Sequence, residues 1–200
     1  MSGAPVDVVA AYTAASTANS CRVHGPLVAS DAATLVVALT TGHGAAPGAA
    51  RAAVADDELT SALGIGRALA DAGVDVLRPD DPEWRGRLMH AAVGVTGAAL
   101  AVAETGSLVL TAAPGAPRAT SLVPPVLVCL VATGTIVATM ADAITRLAAT
   151  GAAGLPSAIT WVGGPSRTSD LEMRPTFGIH GPRTVEIVLV EPDGPAESGH

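Results

Sequence analysis

Lysine is absent from the 200 residues, and all eleven cationic side chains are scattered arginines. This removes the lysine of a phosphate-binding P-loop and any Schiff-base lysine from consideration. Aromatic residues make up only 2% of a chain that is 49% apolar, so a core has to be assembled from Ala, Val, Leu and Ile in closely packed layers. The two cysteines, Cys21 and Cys129, stand far apart with no CxxC spacing. That excludes a disulfide framework and the ligand sets of zinc or iron–sulfur sites, and it points to a reducing compartment. A GxSxG elbow, an HExxH motif and His or Cys pairs at metal-ligand spacing are all missing, so no metal site is expected. Gly64-Ile65-Gly66 lacks the third glycine of a dinucleotide fingerprint, with Leu69 in its place.

What charge there is sums to −7 without blocks of one sign, which argues against a nucleic-acid surface. Met1 to Ala11 carries Asp7 and has no basic segment before an apolar stretch, so the chain reads as cytoplasmic. Ala119 to Ala141 has no charged residue and is long enough to suggest a membrane span. Pro124, Pro125, Gly134 and four threonines interrupt it, however, and Val126 to Val131 reads instead as one strand of a parallel sheet buried on both faces.

Along the chain, residues 1–20 lack a sustained period and are expected to be a poorly ordered N-terminal segment, a helix or a tail. A single α/β domain is expected over 21–191, followed by a polar tail over 192–200. Asp31 caps a helix running through Leu39, and Thr41 to Ala49 reads as a Gly-rich loop. A strand over Arg51 to Ala55, a helix over Leu59 to Ala72 ended by Gly73, and a strand over Val74 to Leu77 make a βαβ pattern. A helix over Glu83 to Ala92, a strand near Val93 to Val95, a short apolar helix from Gly97 to Ala103 and a strand over Ser107 to Thr111 follow. Beyond Val131 come a short strand near Ile136, a helix over Ala141 to Ala149, and strands over Ala158 to Val162 and Thr184 to Val190.

Four stretches set polar groups into apolar, Gly-punctuated sequence, the setting in which α/β sheets place ligand contacts. In Ala103-Glu104-Thr105-Gly106-Ser107, Glu104 is the only ionisable group between His90 and Arg118. It is a candidate acid, base or nucleophile, or else a carboxylate that accepts backbone N–H groups at a turn. Arg118 and Ser121 precede Pro124-Pro125, and Arg118 could clamp an anion or be a solvated loop charge. In Gly164-Pro165-Ser166-Arg167-Thr168-Ser169-Asp170-Leu171-Glu172, Ser169 and Glu172 have capping-box spacing. The segment reads either as an anion site made of helix-start amides, Ser166, Arg167 and Thr168, or as an Arg167–Asp170 ion pair fixing a loop. His180, in Gly178-Ile179-His180-Gly181-Pro182, could shuttle protons or act as a structural hydrogen-bonder. Glu104 and the Ser-Arg-Thr bend are expected to meet at the carboxyl edge of the sheet.

The order of these segments, with Gly94-Val95-Thr96 before them, resembles the LUD domain family, in particular its lactate-utilisation protein C branch. Ser169 and Leu171 stand where that branch often has Ala and Ile, and the likeness is specific from about Val93 to Val190. The resemblance implies an α/β fold with a mainly parallel sheet and helices on both faces, similar to the NagB, ribose-5-phosphate isomerase and CoA-transferase group. It also implies a non-redox component of L-lactate oxidation to pyruvate, with no cofactor in this chain and iron–sulfur clusters in partner lactate-utilisation proteins. Two alternatives stay open. One is a free-standing enzyme acting on a small anionic or acyl-thioester substrate through Glu104, with Thr105, Gly106, Gly164 and Asp170 shaping the site; the other is a ligand-sensing module.

Overall fold

A computed structural model describes residues 7–44, 51–169, 175–177 and 181–191, with the backbone alone at 152, 153, 167–169 and 175–177. Six strands form one parallel sheet: β1 (Arg22–Leu27), β2 (Arg51–Val54), β3 (Asp75–Leu77), β4 (Ala91–Gly97), β7 (Val126–Ala132) and β12 (Thr184–Val190). They lie in the spatial order β1-β12-β7-β4-β2-β3. A second sheet, ordered β8-β5-β6-β9, comprises β5 (Leu100–Val102), β6 (Ser107–Thr111), β8 (Ile136–Val137) and β9 (Ile159–Val162). Every residue from Val126 to Val131 is buried, because β7 lies in mid-sheet with both faces covered; this is the physical reason an uncharged run here is a strand and not a span. No helix among the described residues is long and apolar enough to cross a membrane.

On one face of the large sheet, Val93, Val95, Val128 and Val188 pack against Ala32 and Val36 of α2 (Ala29–Gly42) and against Ile65 and Leu69 of α4 (Ile65–Asp71). On the other face, Leu127, Cys129, Ile187 and Leu189 meet Tyr12 of α1 (Val8–Ala18) and Ala101, Leu108 and Leu110 of the small sheet. That second face is therefore covered by a helix and a sheet together. The outer side of the small sheet is closed by α7 (Met140–Ala148) through its buried Ala143.

The structure differs from several expectations. Residues 7–20, for which a helix or a tail stayed open, hold the helix α1, which Asp7 caps by accepting hydrogen bonds from the Val9 and Ala10 amides at 3.1 Å. Tyr12 and Ser16, one turn apart, are fully buried, and that packing fixes a helix whose sequence carries almost no amphipathic signal. Asp31 sits in the first turn of α2 and does not cap it; Val28 is the capping position. The helix over 59–72 is two helices, α3 (Glu58–Ala62) and α4, separated by Gly64 in a left-handed conformation. The helix after Glu83 shrinks to α5 (Trp84–Leu88), and β4 begins at Ala91.

Gly97 to Ala103 is no helix. Leu100–Val102 pairs with both β6 and β8 as β5, since so short an apolar run takes its state from its neighbours. The helical start at Ser169 is likewise replaced by a hairpin, β10 (Arg167–Ser169) antiparallel to β11 (Pro175–Phe177). In its register Thr168 lies opposite Thr176. The described residues also hold the short helices α6 (Ala119–Leu122) and α8 (Gly151–Gly154) and a 3-10 turn over Thr133–Thr135.

Candidate functional site at the sheet's switch point

In chain order β2 is followed by β3 on its outer side, whereas β4 is followed by β7 on the opposite side. The crevice beyond the carboxyl ends of β2 and β4 is therefore a topological switch point, where open α/β sheets bind their ligands. A cleft of about 510 Å³ opens there. It is lined by Asp57 and Glu58 after β2, by Gly97 and Ala99 after β4, by Ala132 at the end of β7, and by Thr111 from the small sheet.

Asp57 builds the wall of this cleft. Its Oδ1 accepts the Thr60 amide at 2.9 Å as the N-cap of α3, and Thr60 Oγ1 in turn accepts the Asp57 amide at 3.2 Å. Its Oδ2 accepts Thr96 Oγ1 at 3.1 Å and the Gly97 amide at 2.7 Å, so one carboxylate ties the tip of β2 to the tip of β4. A Cβ at Gly97 would stand 2.6 Å from Asp57 Oδ1, which explains glycine at this close approach. Asp56 is held elsewhere, its Oδ1 accepting Ser61 Oγ at 2.7 Å and lying 3.2 Å from an Arg78 guanidinium nitrogen. Glu58 is exposed and has no side-chain partner among the described residues. Asp57→Ala is expected to cost about 1–2 kcal/mol, the value of a lost helix cap, and to loosen the cleft wall; a urea midpoint unchanged from the parent would refute this.

Of the residues singled out from sequence, Arg118 and Ser121 border this cleft. They line a recess of about 10 Å³ that shares Thr111 and Ala116 with it, room for about one water. Ser121 is buried and its Oγ donates to the Arg118 carbonyl at 3.0 Å, while the Arg118 side chain is exposed.

Glu104, Thr105, Gly106, Gly164 and Ser166 lie at the other end of the molecule. The turn from β5 to β6 rests on the last turn of α1, where Ser16 Oγ donates to the Gly106 carbonyl at 3.1 Å and Asn19 Nδ2 to the Thr105 carbonyl at 2.7 Å. A Cβ at Gly164 would stand 2.5 Å from the Asn19 carbonyl oxygen. The Ser166 amide donates to the Pro182 carbonyl at 2.9 Å, just before β12 begins. These stretches do gather, around Asn19, but at the amino edge of the large sheet and not at its carboxyl edge. The reason is that β5, β6 and β9 belong to the second sheet, which reverses the direction read from the sequence. The backbone of Arg167 and Thr168 belongs to the hairpin, and Asp170 and His180 lie outside the described residues.

Glu104 itself is exposed. Its Oε2 accepts the Met140 amide at 2.9 Å at the start of α7, and its own amide donates to the Ala138 carbonyl at 2.9 Å. A carboxylate on the first turn of a helix meets the positive end of the helix dipole. Glu104→Ala is accordingly expected to lower stability by no more than about 1 kcal/mol; a larger fall in the urea midpoint would show that the carboxylate does more than meet the start of α7.

A family model described as the LUD domain matches residues 10–190. The chain belongs to the LUD domain family. Among curated relatives of this LUD chain, a protein named Lactate utilization protein C from Deinococcus radiodurans is 38% identical over 119 residues, 59% of this chain and 55% of that protein. A protein of the same name from Bacillus subtilis is 34% identical over 103 residues, 50% of this chain and 43% of that protein. The chain thus spans about half the length of the curated relatives it matches. The crystal structure of a DUF162 family protein from Deinococcus radiodurans superposes with a TM-score of 0.67 at 24% identity, covering 94% of this chain and 99% of that one, and it shows the same fold.

The cleft carried one local signal, a run of acids directly after the short apolar strand Ala52 to Ala55. From adjacent letters alone, acids ahead of a helical run are legible only as a cap. Asp57 is that cap and also the wall of the cleft, a second role that depends on which strand lies beside β2.

Proposed function

We propose that this LUD-family chain is the non-redox component of a system oxidising L-lactate to pyruvate, working in the cytoplasm beside partners that carry the iron–sulfur clusters. The observation that carries this reading is the 38% identity over 119 residues to a protein named lactate utilization protein C. Cysteine chemistry supports the division of labour. A cluster takes four thiolates, whereas this sequence has two cysteines, both buried and neither in a disulfide. Burial pushes the Cys129 thiol well above its ordinary value, which makes it a poor ligand. In this reading the switch-point cleft is where the chain meets a small molecule, and the chain's contribution is binding and assembly.

The test is genetic and biochemical together. Deleting the gene is expected to abolish growth on L-lactate but not on pyruvate, and the tagged chain is expected to co-purify with a cysteine-rich LUD partner from the same genome. Normal growth of the deletion strain on L-lactate, together with no association on co-expression, would overturn the proposal.

A further inference from the structure

Among the described residues lining the cleft, the polar side chains are the carboxylates of Asp56, Asp57 and Glu58 and the hydroxyls of Thr111 and Thr135, so acceptors predominate. Glu58 presents a carboxylate without a partner among the described residues, and Asp57 Oδ1 accepts one hydrogen bond where a carboxylate oxygen can take two. Thr135 gives its hydroxyl proton to the Ala132 carbonyl at 2.8 Å and retains only lone pairs. Among the described residues no side chain lining the cleft itself is cationic, and Arg118 lines the adjoining recess. A ligand seated there must bring its own donors, and a carboxylate or phosphate against that wall would face like charge.

The remaining walls are unusually bare. Gly97, Ala98, Ala99, Ala113, Ala116 and Ala132 extend no farther than a Cβ, which leaves a smooth apolar slot. At about 510 Å³ the space is that of a drug-sized molecule and far exceeds a three-carbon acid such as lactate. Position adds a further constraint. A carboxylate beyond a strand tip beside the switch point of an open α/β sheet is placed to accept a ribose hydroxyl, and Asp57 and Glu58 follow the end of β2 after Ala55 and Asp56. The glycine fingerprint that would cradle a pyrophosphate is missing from the sequence.

We propose that the switch-point cleft binds an uncharged ribosyl group of nucleoside type, its vicinal hydroxyls donating to Glu58 and Asp57 and its flat base lying against the alanine wall. This rests on the reading that the cleft is where the chain meets a small molecule.

Calorimetry on the full chain tests it with adenosine, 2′,3′-dideoxyadenosine and L-lactate as probes. Adenosine is expected to bind, and loss of the diol to weaken binding at least tenfold. Glu58→Ala should weaken adenosine about tenfold while leaving the dideoxy compound unaffected. Ala99→Phe, a change at an exposed position that fills the slot, should abolish adenosine binding with the thermal midpoint retained. Equal binding of adenosine and the dideoxy compound, or binding of neither, overturns the ligand class and leaves the lactate-growth result standing. Adenosine binding that survives Ala99→Phe shows that the cleft is not the seat, and the reading of the cleft falls with the proposal.

Discussion

Replacing Gly94 with valine is expected to lower stability by about 3 kcal/mol, near the upper end for overpacking a filled interior. Gly94 is buried on β4, and a Cβ there would overlap the carbonyl oxygen of Thr120 and approach Pro124 Cγ at 3.3 Å. Both neighbours belong to the α6 segment that lies flat on β4, and Thr120 is itself buried, so neither can retreat into solvent. For a domain of this size the loss corresponds to a fall in thermal midpoint of about 6–12 °C. Gly86→Ala is the control: Gly86 lies inside α5, is exposed, and has no atom within 4 Å of an added Cβ. Alanine there should raise stability by about 0.5–1 kcal/mol, the usual helix-propensity gain. A midpoint for Gly94→Val within 2 °C of the parent would show that α6 can shift off β4.

Glu186→Gln is expected to cost about 2 kcal/mol at neutral pH, the range for losing hydrogen bonds to a charged group. The Glu186 side chain is only 1% exposed on β12. It accepts Arg22 Nη1 and His43 Nε2 on Oε1 and His24 Nε2 on Oε2, all at 2.8 Å. Burial pushes its carboxyl up. The hydrogen bonds from His24, His43 and Arg22, with the positive charge of Arg22, outweigh this and hold it below its ordinary value.

A depressed carboxyl value means that the native state holds its proton less tightly than the unfolded chain. The stabilisation is therefore complete above the unfolded value of about 4.3 and is lost as pH falls through the native one. The gap between parent and Glu186→Gln in urea midpoint should be full at pH 7 and should narrow steadily below about pH 4. An equal gap at both ends of that range would assign the loss to packing and not to charge. The network fixes the edge strand β1 to β12 and fastens the last turn of α2 to both, because His43 caps that helix.

The parts of the fold legible in the sequence are those set by local chemistry. Val126 to Val131 announces a strand because apolar residues run without a polar face, Thr184 to Val190 because its residues alternate, and Gly73 announces a helix stop because its φ of +80° suits a residue without a Cβ. Helix α7 and strands β2, β3, β6 and β9 were readable in the same way, to within a residue or two at their ends, and α4 at its carboxyl end. Tyr12 and Ser16 gave little warning of α1, since a helix carried by two buried contacts has no stripe for a periodic reading to find. Leu100 to Val102 could not be assigned by any local rule: three apolar residues are compatible with helix or strand, and the partners on β6 and β8 decided it.

The sequence by itself determined the chemical inventory: no lysine, a core of small aliphatics, two widely separated cysteines, and an acid run after β2. Tertiary structure alone decided where those groups meet. Strand order made β2 and β4 neighbours, and so turned the Asp57 cap into the wall of a cleft. The reversed second sheet carried Glu104 to the amino edge. Glu186 acquired partners 143 to 164 positions away along the chain. Propensity and capping act over a few residues and leave their mark in adjacent letters. Strand adjacency is fixed by packing of the whole layer, so it has no local signature to read.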